Sequence, residues 1–243
     1  MHIFLHFAIK TAHLIDYWKD FTLYNEEQKE VGKDNIRKYA LAIAKLWLGE
    51  KTMAKQAKTL TATELRRVLD YIATRKHSAR NRALLMTTYL SGMRVGEVAS
   101  LRYKDVVDAD GTIRNEIRLT AAQTKGNEAR VVFVSEKLRK ELEQYIQINK
   151  PSNIDDKFFY SQKQASDGFT ANTLTQFFHY LYKRSGIDGA SSHSGRRTFI
   201  TNLASKGIGV RVLMSLAGHK NIGTTQCYID CNDDMKRKAV ELV

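Results

Sequence analysis

The sequence predicts a mainly helical α+β fold, mostly α with one small antiparallel β-sheet, and three observations carry that prediction. Apolar residues recur at helical spacing, as in Leu65, Val68, Leu69 and Ile72, whose neighbours Arg66 and Arg67 point outward. Glycines punctuate the helical stretches at Gly92, Gly186, Gly207 and Gly218, as helix ends require. Only residues 112–120 and 129–135 break this rhythm, with β-branched or alternating runs joined by the polar connection 123–128.

The elements follow in order. Tyr17, Trp18, Phe21 and Tyr24, then Ile36, Tyr39, Ile43, Leu46 and Trp47, suggest two amphipathic helices. A run rich in Lys, Thr and Ala over 51–60 marks a boundary. Residues 1–58 are therefore read as a short helical N-terminal segment and 59–243 as the main domain. Thr61-Ala62-Thr63-Glu64 is a capping box opening a helix over 64–74. Further helices are expected over 79–90, 95–101, 135–148 with Ser135 as cap, 170–185, 193–205, 210–217 and 224–228 with its flanks. The single proline, Pro151, sits in a break between structured segments. A last amphipathic piece, 235–242, forms a C-terminal tail helix.

Composition narrows the function. A chain that is 43% hydrophobic can bury a core, which excludes wholesale disorder. The formal net charge of +13 costs self-repulsion and suggests a polyanionic partner such as nucleic acid. No apolar run approaches the roughly 20 residues that span a bilayer. The opening eight residues lack the basic front and long apolar centre of a secretory signal, so the protein is expected to be cytoplasmic and DNA-associated, without a membrane partner. Cys227 and Cys231 are too few for a disulfide framework. No second Cys or His pair accompanies them, so they are read as small hydrophobes rather than zinc ligands.

Several polar residues stand beside helix ends. Taken singly, each has an ordinary alternative: Arg94 as a solvated or capping arginine, Lys125 as a turn lysine, His193 as a helix cap, Tyr228 as a core tyrosine. Together, two arginines, two histidines, a hairpin lysine and a tyrosine form a kit for phosphoryl transfer without a metal. Fixed cations stabilise the charge that grows on non-bridging phosphate oxygens, and arginine forks fit that geometry. A phenol with an ordinary pKa near 10 needs a base or a cationic field to attack near neutrality.

Leu90-Ser91-Gly92-Met93-Arg94-Val95-Gly96-Glu97, Thr124-Lys125-Gly126-Asn127, His193-Ser194-Gly195-Arg196-Arg197, Leu216-Ala217-Gly218-His219 and Thr224-Thr225-x-x-Tyr228 resemble, in order and separation, the tyrosine recombinase or phage integrase signature. The resemblance covers residues 59–231. It implies a catalytic domain of that family, in which Arg94 and Arg196 hold the scissile phosphate and Tyr228 attacks it. The attack leaves a 3′-phosphotyrosyl link and a free 5′-hydroxyl. Lys125 would be general acid to that oxygen, His193 would move the Tyr228 proton, and His219 would donate to the phosphate. Glu97 would orient the site. The resemblance further implies double-stranded DNA as partner, a homotetramer on DNA from free monomers or dimers, optional accessory DNA-bending proteins, and no cofactor. Where the family has a core-binding domain, residues 1–58 leave room for a reduced or truncated one. Two other readings stay open: a type IB topoisomerase with the same chemistry, and a DNA-binding remnant that does not catalyse.

Overall fold

The computed structural model describes residues 57–149, 151, 153–161, 167–226, 228 and 240–241. The chain divides into two compact units, 1–56 and 57–243, and every described residue belongs to the second. The helices expected within 1–56, the two cysteine side chains and most of the tail piece fall outside the described residues.

Helix α1 (Ala62–Ala73) begins at the capping box: Glu64 N–H donates to Thr61 Oγ1 at 3.2 Å, and Thr61 N–H donates to the Glu64 carboxylate at 3.0 Å. Val68 and Ile72 are buried, while Arg66 and Arg67 face solvent. Helix α2 (Ser78–Ser91) is the centre of the unit, packed by α1 and by three helices that follow: α3 (Val95–Ser100), α5 (Glu136–Ile148) and α7 (Ser194–Ser205). Burial on several sides exposes its hydroxyls to desolvation, and each donates to a carbonyl of the preceding turn: Thr87 to Ala83, Thr88 to Leu85, Ser91 to Thr87. Gly92 ends the helix in the left-handed region at φ 66°.

After α3 comes a one-turn helix, α4 (Tyr103–Val106), which the sequence did not announce. It is too short to show periodicity. Strands β1 (Glu116–Leu119) and β2 (Arg130–Phe133) pair antiparallel, with Ile117 opposite Val132 and Leu119 opposite Arg130. Both are shorter than the runs expected over 112–120 and 129–135. On one flank Val107 and Ile113 pair outside the strands, and on the other a 3₁₀ turn, Ala121–Gln123, closes β1. Ile117, Leu119 and Val132 face the core, whereas Arg118, Val131 and Phe133 are exposed, as a period of two requires.

Ser135 caps α5 by accepting from Leu138 N–H. Its Tyr145 joins Phe158 and Phe159 in an aromatic cluster, and the Tyr145 hydroxyl donates to Phe158 O at 2.9 Å. Helix α6 (Ala171–Arg184), capped by Thr170, adds Leu174, Phe178, Leu181 and Tyr182 to the same core. Helices α7, α8 (Val210–Ala217) and α9 (Ile222–Gln226) follow. The last differs from expectation. Asn221 Oδ1 accepts from Gly223 N–H at 2.7 Å, which starts the helix at residue 222 and leaves Tyr228 beyond its end, in a turn.

Among the described residues no helix is long and apolar enough to cross a membrane.

Candidate active site

The residues singled out by their motifs stand at element ends, where side chains and free backbone groups meet. Arg94 is the N-cap of α3, Lys125 lies in the β1–β2 connection, and His193 is the N-cap of α7 with Arg196 in its first turn. His219 follows the Gly218 that ends α8, and Tyr228 follows α9. Gly195 is required where it stands. A Cβ there would run into Thr88 of α2, so only glycine lets the start of α7 press against the central helix and bring Arg196 inward.

Three successive carbonyls at the end of α8 gather three arginines. Arg130 Nη1 donates to Leu216 O at 3.0 Å, Arg196 Nη2 to Ala217 O at 2.5 Å, and Arg94 Nη2 to Gly218 O at 3.0 Å. These are carbonyls a helix leaves unpaired at its C-terminus, where the macrodipole is also negative. Arg196 adds a second bond, from Nη1 to Gly92 O at 2.7 Å, which fastens it to the end of α2 as well. Gly218 makes the turn possible: at φ 60° its backbone is left-handed, and a Cβ would overlap the Arg130 side chain.

Glu97 balances part of this charge from below. Its side chain is 1% exposed and takes Arg94 Nη1 at 2.8 Å, the Arg94 backbone N–H at 2.7 Å and Arg130 Nη2 at 2.7 Å. Burial alone would raise this carboxyl. Arg130 first, then Arg94, outweigh burial and hold it below the usual carboxylate range. Among the described residues Arg196 bonds to carbonyls and not to a carboxylate, and burial followed by the charge of Arg94 pushes it down to about 9. The site is thus short of negative charge, with cations already placed.

Both histidines are biased toward the neutral form. His219 is pushed down to about 4 by desolvation and by Arg196, Arg94 and Arg130. His193 keeps an exposed face, but the shielding of the rest of its ring, then Arg196, Lys125 and Arg94, lowers it too. His219 Nδ1 lies 2.8 Å from the hydroxyl of Thr225, which is fully buried. The Tyr228 ring stacks on His219 with centroids 5.9 Å apart, and Arg197 Cζ lies 5.2 Å from the Tyr228 centroid.

Arg94, Lys125 and His219 line one cleft of about 490 Å³, together with Arg130, Lys220 and Thr224. Arg196, His193 and Tyr228 do not line it; Arg196 is joined through Ala217, and Tyr228 through His219. Lys220 forms an exposed ion pair with Glu128 at 2.8 Å. Among the described residues no group of three His, Cys, Asp or Glu side chains could hold a metal ion.

Sequence reasoning missed two members of this network, Arg130 and Thr225. A signal existed for the first. Arg130 shares the inward face of β2 with buried Val132, and an arginine on that face requires an acceptor inside. Thr225 gave none, since its bond to His219 exists only once α9 has folded back.

The model of the phage integrase family matches residues 58–235. Transposase A from transposon Tn554 of Staphylococcus aureus is 31% identical over 196 residues, covering 76% of this chain and 52% of that protein. Tyrosine recombinase XerA of Pyrococcus horikoshii is 26% identical over 184 residues, covering 76% of this chain and 60% of XerA. This chain therefore spans between half and about six-tenths of these relatives. Among solved structures, the XerA recombinase crystal structure superposes with a TM-score of 0.61 at 23% identity, covering 95% of this chain and 89% of that one. The Tn1549 transposon integrase, solved in complex with a circular intermediate DNA, also reaches 0.61, at 21% identity over 79% of this chain and 68% of the other. At such identities these two structures speak for the fold.

Proposed function

The chain belongs to the phage integrase family, and from that premise we propose that it carries the catalytic domain of a site-specific DNA recombinase working through Tyr228. The observation that carries this reading is the Tyr228 ring stacked on His219, beside a helix end that holds three arginines. A phosphodiester brings one negative charge, and its pentacoordinate transition state gathers more on the non-bridging oxygens. Arg94 and Arg196, fixed in advance by carbonyls, need little reorganisation to receive it.

In the proposed step the Tyr228 oxygen forms a bond to phosphorus and the bond from phosphorus to the 5′-oxygen breaks. The phenol proton passes to His193, whose lowered pKa leaves it free to accept near neutrality. Lys125 gives a proton to the departing 5′-oxygen. His219, neutral at the same pH, donates through Nε2–H when Thr225 donates to Nδ1. Attack by a 5′-hydroxyl of another strand reverses each transfer and rejoins the DNA, with neither metal nor nucleotide consumed. Assembly as four copies on paired double-stranded sites, with residues 1–58 helping to clamp the duplex, belongs to the same proposal.

The test uses nicked suicide duplexes selected from a randomised pool by binding to the full chain. Denaturing electrophoresis is expected to reveal a protein–DNA adduct in the presence of chelator, absent from Tyr228→Phe. Bound duplex without adduct would overturn the proposal in favour of a non-catalytic DNA-binding protein. Adduct with relaxation of supercoils, but no exchange between two sites, would move it to a topoisomerase.

A further inference from the structure

Arg130 is absent from the proposed chemistry, yet it bonds to both the acid and the helix end that support Arg94. It starts β2, five residues after Lys125, and each nitrogen of its guanidinium makes a bond: Nε and Nη2 fork onto Glu97 at 3.3 and 2.7 Å, and Nη1 holds Leu216 O at 3.0 Å. The side chain is 10% exposed. It therefore joins three parts with part-buried, charge-assisted bonds: the hairpin that carries Lys125, the acid that supports Arg94, and the helix end that supports all three arginines.

The loop between the strands is closed by its own hydrogen bonds. Thr124 Oγ1 donates to Glu128 O at 2.8 Å and accepts from Glu128 N–H at 3.1 Å, and Asn127 takes a left-handed backbone at φ 55°. Three tethers fix this closed loop to the unit. Gln123 Nε2 donates to Asp105 at 2.9 Å on the incoming side, Lys220 pairs with Glu128 at the tip, and Arg130 holds the outgoing side. The tip pair is 59% and 67% exposed, so water and salt weaken it. Among the three, only Arg130 is both charged and sheltered from solvent.

We propose that Arg130 is a positioning residue for Lys125: it locks the lysine hairpin to the arginine cluster, so that the proton donor and the phosphate grip are assembled as one unit. The inference rests on the phosphotyrosyl reading above, and its test separates the two. A suicide duplex is prepared with either oxygen or sulfur at the scissile 5′-bridging position. A thiolate leaves readily without a proton because its parent thiol has a pKa near 8.5, so the sulfur duplex removes the need for a general acid.

Wild type forming adduct on neither duplex would count against the underlying reading. If wild type reacts, Arg130→Ala is expected to slow adduct formation at least about tenfold on the oxygen duplex and less than about threefold on the sulfur duplex. Lys125→Ala provides the reference pattern. Because loss of a buried fork can unfold the chain, Arg130→Lys is measured alongside, with melting temperature and duplex affinity as checks on folding. It keeps a charge beside Glu97 but cannot reach Glu97 and Leu216 O in one planar fork. It should show the same selectivity in weaker form. Equal slowing on both duplexes, or no slowing on either, overturns the assignment.

Discussion

Replacing Glu97 by Gln keeps the shape of the side chain and removes the charge beneath the arginine cluster. In the native unit this carboxylate is 1% exposed and serves two guanidiniums and one backbone N–H. Gln offers one acceptor oxygen in place of two, and its amide N–H groups face guanidinium donors. Arg94 and Arg130 are then left half-buried beside each other with little compensation. Breaking a buried pair by removing one partner costs about 3–5 kcal/mol. For a unit of this size, residues 57–243, each kcal/mol moves the melting temperature by about 2–4 °C, so a fall of roughly 6–20 °C is expected. Thermal unfolding followed by circular dichroism reads it directly. A double-mutant cycle with Arg130→Met then asks whether the loss belongs to the pair. The double variant should lose less than the sum of the single losses, with a coupling of about 0.5–3 kcal/mol. A melting temperature for Glu97→Gln within about 2 °C of wild type, or strict additivity in the cycle, would refute the reasoning.

Two further predictions concern His219. Thr225→Val removes the partner of Nδ1 while keeping the shape of the side chain, and should slow adduct formation about tenfold, equivalent to roughly 1.4 kcal/mol, with duplex affinity unchanged. The second is a pH dependence of stability. His219 lies at about 4 in the folded chain against an ordinary 6.5, so between these values the unfolded chain binds a proton that the folded chain excludes. Its contribution is complete above 6.5 and is lost as the pH falls toward 4; His219→Gln should flatten the melting-temperature profile across that window.

How much was legible in the sequence depended on whether a feature is local. The capping box at Thr61 and Glu64, the Ser135 cap and the stops at Gly92 and Gly218 are each set by neighbours a few residues apart, and the structure carries them. Short elements were another matter. Tyr103–Val106 has too few residues for a period, and the strands end where the 3₁₀ turn and the Val107–Ile113 pairing take over. The place of Tyr228 beyond α9 was not legible, because a side-chain bond from Asn221 sets where that short helix begins. In the site, the motif blocks named side chains but not what holds them. The fork of Arg130 on Glu97 spans 33 residues and its bond to Leu216 O spans 86, distances over which periodicity says nothing.

The acceptors that gather the three arginines are peptide carbonyls, so the bonds themselves involve no side chain of α8. They depend on phase. Inserting one residue within α8 would turn its end by about 100° and advance it about 1.5 Å, taking all three oxygens away from their guanidiniums together. A residue added to the exposed stretch 206–209 before the helix leaves that phase untouched. Tolerance to change in this part of the chain is therefore a matter of length as well as composition: α8 can vary its exposed positions, must keep small or apolar residues at buried Leu213 and Ala217, and must stop on time.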